Sequence, residues 1–268
     1  MWTKSQTVDY FGKEYLKKYL SLMEESPVYC NITLKGGQYY LMYPLPIKVK
    51  QPADIKACDK FLFMSSPTKT AILGYDQDNS LNSVQWFETG RLIKEKRNFK
   101  DKRVEISRRK SETEKMCHIR RRRKKIMKRG NMEQRFVNTY NHQLTRKMVD
   151  YVMGQSDNPK IIIWDIGNGM TQNFGKSLNY LKNLWTAVEQ QNYIKHKAMQ
   201  VGIPIVEVEY NRCNDLTCSK CGVEQANGKK AAKVITQLIK GVKNFKCTER
   251  GYEVNMLINQ ANNIAQIS

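Results

Sequence analysis

The sequence predicts an α/β fold that carries an inserted cysteine-bearing module and follows a small β module. Three observations predict it. From residue 68 onward, strand-like apolar runs alternate with helix-like stretches, the pattern of an α/β core. Near the start, two β-rich runs flank Gly36-Gly37, the signal of a hairpin. Late in the chain, Cys218 and Cys221 sit in a Cys-x-x-Cys-Gly knuckle and Cys247 opens a second turn, which is zinc-ribbon spacing.

Residues 8 to 24 open the chain with helical spacing, since Phe11, Tyr15, Tyr19 and Met23 recur every four positions. The runs 28–34 and 39–43 are the two arms of the hairpin, and Pro44, Pro46 and Pro52 mark a connector after it. Thr68 to Leu73 reads as a strand ending in the acidic turn of Asp76 and Asp78, with a second strand through Leu81-Asn-Ser-Val84. From Leu92 to Tyr151 the pattern is helical and very basic. The apolar, β-branched run 159–166 predicts a buried strand. Leu178 to Met199 is helical, 203–209 is another strand, and Val254 to Ile267 predicts a closing helix.

The formal net charge of +21 is extreme for 268 residues. A field of that sign draws polyanions, nucleic acid first and an anionic membrane surface second. No run approaches the roughly 18 apolar residues of a membrane span, and residues 1–10 lack the apolar core of a signal peptide. Seven cysteines, an odd number, fit a reducing compartment and a metal site better than a disulfide framework. The expected location is the cytoplasm.

The second cysteine turn reads Cys247-x-x-Arg250, so a guanidinium stands where the fourth thiolate belongs. It stays protonated and cannot ligate a metal. Cys213 or a water is the candidate fourth ligand beside Cys218, Cys221 and Cys247; packing alone, without metal, is the alternative. Basic residues crowd the central helical stretch, among them Arg120, Arg121, Arg122, Arg123, Lys124, Lys125, Lys128, Arg129 and Arg135. Like charges four apart destabilise a helix by roughly 0.2–0.5 kcal/mol per pair, so a run of this density predicts phosphate contact. Trp86, Phe87, Phe99, Phe136 and Tyr140 can stack on bases or pack in a core. His142, in His142-Gln-Leu-Thr-Arg146, has no paired nucleophile nearby in the sequence.

Taken in order, these segments resemble the TnpB proteins of insertion sequences and the compact type V CRISPR nucleases. The resemblance runs from about residue 28 to 265. It is carried by residues 73–79 with Asp76, by 135–149 with Tyr140-Asn-His142, and by Ile161-Ile-Ile-Trp-Asp-Ile166. Thr217-Cys-Ser-Lys-Cys-Gly222 and the stretch from Cys247 to Ile264 complete it. It implies an RNase H-like RuvC domain with an inserted zinc-ribbon-like module, preceded by a partial, wedge-type β-barrel module. The implied divisions are 1–66 for the N-terminal helix and wedge-type module, 67–210 for the RuvC-like core with basic helices over 92–151, 211–252 for the ribbon, and 253–268 for the closing helix.

Relatives of this kind bind a guide RNA and cut DNA with three acids and magnesium. Here the resemblance assigns the first acid to Asp76, the second to Trp164 and the third to Leu257. Asp165, one residue past the second position, points to the opposite face of a strand, and a lone Asp76 holds magnesium poorly. The reading is therefore a nuclease-impaired protein that binds guide-type RNA and target DNA without cutting, as a repressor or accessory subunit. A partner chain or a second copy would supply the missing N-terminal module, and no membrane is involved. The alternative is a residual metal-dependent endonuclease using Asp76 with Asp165 or Glu253.

Overall fold

A computed structural model of the chain describes residues 31–35, 38–42, 58–108, 116–213, 215–227, 230–231 and 233–268. The chain divides into two compact units, Met1–Val49 and Lys50–Ser268. In the first, strands β1 (Asn31–Lys35) and β2 (Gln38–Met42) form the antiparallel hairpin expected around Gly36-Gly37, with Asn31 opposite Met42 and Lys35 opposite Gln38. The helix expected over 8–24, the proline connector and the remainder of a barrel lie outside the described residues.

The second unit is built on a five-stranded mixed sheet. Its strands are β3 (Asp59–Ser65), β4 (Lys69–Tyr75), β5 (Leu81–Glu88), β6 (Pro159–Trp164) and β7 (Ile205–Val208), ordered β5-β4-β3-β6-β7. β3, β4 and β5 form an antiparallel meander, while β3, β6 and β7 run parallel. The middle strands read as continuous apolar runs, Phe61-Leu-Phe-Met64 and Ile161-Ile-Ile-Trp164, because helices cover both of their faces.

Alternation along these strands divides the core in two. Phe61, Phe63, Ile161 and Ile163 face helices α2 (Met116–Gln155) and α5 (Ala187–Val201), against Leu144, Met148, Val152, Ile194 and Ala198. Leu62, Met64, Ile162 and Trp164 share a second cluster with Leu257, Ala261 and Ile264 of the closing helix α7 (Met256–Ile267). The helix starts where Asn255 caps it, its side chain accepting the Leu257 N–H at 2.9 Å. Helix α1 (Gly90–Arg108) lies along α2, joined by Phe99 and Phe136 with ring centroids 6.2 Å apart and by the Arg103–Glu133 ion pair. Short helices α3 (Gly167–Thr171), α4 (Lys176–Leu184) and α6 (Val234–Lys240), with the two-residue strands β8 (Ala226–Asn227) and β9 (Lys230–Ala231), complete this unit with hairpin β10 (Asn244–Lys246) and β11 (Glu253–Asn255).

Two expectations change. Strand β3, the middle of the sheet, has no counterpart in the sequence reading, and a division between 66 and 67 would cut the β3–β4 hairpin in two. The basic helices expected over 92–151 are α1 and α2, with residues 109–115 outside the described set. The helix expected over 178–199 is also two, α4 and α5, interrupted at Trp185, whose φ of −80° and ψ of 125° are extended.

Candidate functional site

The carboxyl ends of the parallel strands are the usual place for chemistry in a sheet of this kind. At the ends of β3 and β6 the side chains facing α7 are Met64 and Trp164, 2% and 3% exposed, and the helix supplies Leu257 at 4%. The Trp164 indole N–H donates to the Tyr210 carbonyl at 3.2 Å, and the two rings stack. An apolar core therefore fills the space between the strand ends and the closing helix.

The candidate acids are elsewhere. Asp76 is exposed in the β4–β5 turn, where its Oδ1 accepts the Ser80 N–H at 2.8 Å. Tyr75, its neighbour, pairs with Lys60, and Lys60 pairs with Lys160. Asp165 lies five residues further along β6, roughly 16 Å at strand rise. Asp76 and Asp165 thus stand at opposite ends of the sheet, which does not favour the alternative reading that uses both at one site. Two catalytic metal ions sit about 3.5–4 Å apart, and no shared ion spans that gap. Asp165 instead caps the chain turn after β6, its Oδ1 accepting the Gly167 N–H at 2.9 Å. Glu253 is exposed on β11 and accepts from Asn244 at 3.3 Å. The residue that shares the buried face beside Trp164 is Met64, on the strand the sequence reading missed.

The thiols do converge. The Sγ atoms of Cys218, Cys221 and Cys247 all lie within 4.8 Å of one another, with Cys221 and Cys247 at 3.6 Å. Tetrahedral zinc–sulfur bonds of about 2.3 Å place neighbouring sulfurs about 3.8 Å apart, so the group fits a metal ion. Among the described residues no other group of three His, Cys, Asp or Glu side chains comes that close.

Both turns are built alike. The Cys218 N–H donates to the Val223 carbonyl and the Gly222 N–H to the Cys218 carbonyl; the Cys247 N–H donates to Tyr252 and the Gly251 N–H to Cys247. Gly222 and Gly251 hold φ of 71° and 64°, the left-handed conformation such a turn needs. The Arg250 backbone N–H lowers the Cys247 thiol below its ordinary range, with burial opposing it. Cys213 stands outside the group. It is buried, and burial pushes its thiol up to about 11.

The basic residues lie along the N-terminal half of α2. Arg120, Arg121, Arg123, Lys124, Lys125, Lys128 and Arg135 are exposed, and Arg122 and Arg129 are half-buried. The acids of this helix are Glu133 and Asp150, paired with Arg103 and Arg146. Lys124, Lys128 and Arg135 line a shallow groove of about 410 Å³ together with Met127, Asn131 and Met132. These six positions recur at i, i+3, i+4, i+7, i+8 and i+11, so they form one helical stripe. The stripe was present in the sequence but hidden among cations on every side. The aromatics are used in packing: Phe136 lies 6.0 Å from Tyr140, whose hydroxyl donates to the Glu88 carbonyl at 2.8 Å.

No protein-family model and no curated protein matches the chain. Solved structures do. A Cas12f1–sgRNA–target DNA complex matches with a TM-score of 0.55 and 17% identity, covering 87% of this chain and 55% of that one. A CRISPR-Cas12f ternary complex matches with a TM-score of 0.58 and 16% identity, over 94% of this chain and 48% of that one. The chain spans about half the length of these proteins. Its fold is Cas12f-like.

Proposed function

We propose that this chain is a nuclease-impaired, RNA-guided nucleic-acid-binding protein. In this reading it holds a guide-type RNA, and target DNA paired to it, without cutting. The five-stranded sheet is RuvC-type, residues 211–252 are a zinc-ribbon-like insertion with Cys218, Cys221 and Cys247 on zinc, and α7 is the closing helix. The hairpin β1–β2 belongs to a wedge-type module. Sequence choice comes from base pairing, while the protein meets backbone and duplex shape.

The observation that carries this reading is the filled site. Met64, Trp164 and Leu257 occupy the strand ends and facing helix where carboxylates would be needed to hold paired magnesium ions. The cationic helix remains, with its two acids already paired. Occupancy of DNA without cleavage suits a repressor or accessory role.

The test is to purify the protein, sequence the RNA that accompanies it, and incubate the complex with matching labelled DNA and magnesium or manganese. Binding without metal-dependent cleavage is expected. Cleavage abolished by Asp76→Ala would favour a residual nuclease instead.

A further inference from the structure

We propose that a metal held by Cys218, Cys221 and Cys247 keeps its fourth coordination position open beside Arg250, and that this position takes a phosphate oxygen. The inference rests on the metal reading of the thiol group given above.

The two turns are related by matching hydrogen bonds. Cys218, Gly222 and Val223 in one correspond to Cys247, Gly251 and Tyr252 in the other. The residue before the glycine is the second ligand of a knuckle; it is Cys221 in the first turn and Arg250 in the second. The fourth corner of the tetrahedron therefore faces the Arg250 position, and Arg250 is exposed. Cys213, the remaining thiol of this region, is outside the group and packed in the core.

A divalent ion on three thiolates carries one net negative charge. Lys220 and Arg250 belong to the two cysteine turns and Lys246 precedes Cys247, Lys220 lying 4.3 Å from the Tyr252 ring centroid, with Glu249 the one acid in the second turn. The balance favours an anion at the open corner. A guanidinium matches the geometry of a phosphate, and the metal supplies a Lewis-acid contact to one oxygen. The phosphate oxygen displaces a bound water; no bond within the phosphate breaks and no electron is transferred.

The test uses the full chain loaded with Co²⁺ and followed by absorption spectroscopy. Wild-type protein should give charge-transfer intensity for three thiolates, and its visible bands should shift saturably with inorganic phosphate or a single-stranded DNA oligonucleotide. A response to DNA alone assigns the ligand to the nucleic-acid backbone, and an equal response to both assigns it to free oxyanion; each supports the open site. Arg250→Gln should keep the three-thiolate spectrum and lose roughly tenfold in phosphate affinity. Arg250→Cys should give a four-thiolate spectrum that ignores phosphate. A wild-type four-thiolate spectrum that falls to three in Cys213→Ser, or bands indifferent to both probes, overturns the proposal. Absence of any cobalt absorption removes the metal reading itself.

Discussion

Trp164 stacks on Tyr210 with ring centroids 5.8 Å apart, and its indole N–H donates to the Tyr210 carbonyl. This contact ties the end of β6 to the segment after β7. Trp164→Glu places an unpaired carboxylate in that contact. We expect it to destabilise the fold by roughly 3 kcal/mol or more, read by urea unfolding, without creating cleavage. Trp164→Phe keeps the ring and loses the hydrogen bond, for about 1 kcal/mol.

Gly169 lies against the Tyr210 ring, and an added Cβ would collide with it. Gly169→Ala should therefore displace Tyr210 and cost about 1–3 kcal/mol by overpacking. Thermal unfolding checks this, with Gly154→Ala as the control, since a Cβ there meets open space.

Replacing Arg120, Arg121, Arg122 and Arg123 by Gln should weaken RNA binding and flatten its dependence on salt. Each lost phosphate contact removes about 0.7 from the slope of log affinity against log salt for single strands. A slope shift of about 2 to 3 is expected from equilibrium binding between low and moderate salt. An unchanged slope would mean that this part of α2 does not face the backbone.

Burial raises the Cys213 thiol to about 11. A raised thiol contributes stability that is complete below its unfolded value, near 8.5, and is lost as pH climbs toward 11. Unfolding monitored from pH 8 to 11 should show a decline that Cys213→Ala reduces. Thiol reagents at pH 7.5 should modify exposed Cys117 well before buried Cys213; equal rates measured by mass spectrometry would contradict the buried placement.

Much of the fold was legible because its signals are local. The Gly36-Gly37 hairpin, the Ile161-Ile-Ile-Trp164 strand and the closing helix each announce themselves through turn residues or apolar pattern. The grouping of Cys218, Cys221 and Cys247 was legible through spacing. Strand β3 was not. Its run Phe61-Leu-Phe-Met64 is short and lies between a polar Asp59-Lys60 start and Ser65-Ser66, and periodicity cannot distinguish a strand buried on both faces. Asp76, which the resemblance assigned as the first acid, lies in the turn after β4 rather than on β3. Only the pairing of β3 with both β4 and β6 reveals that Asp76 and Asp165 are at opposite ends. The break at Trp185 was hidden for a similar reason. Its indole N–H bonds to Ser65 Oγ at 3.0 Å, a contact across 120 residues.

The most direct measurement is an anomalous difference map from crystals soaked in manganese. The account predicts no manganese between Met64, Trp164 and Leu257, because those side chains fill the space with apolar atoms. A pair of adjacent manganese peaks there, or one bridging Asp76 to any second carboxylate, would contradict it.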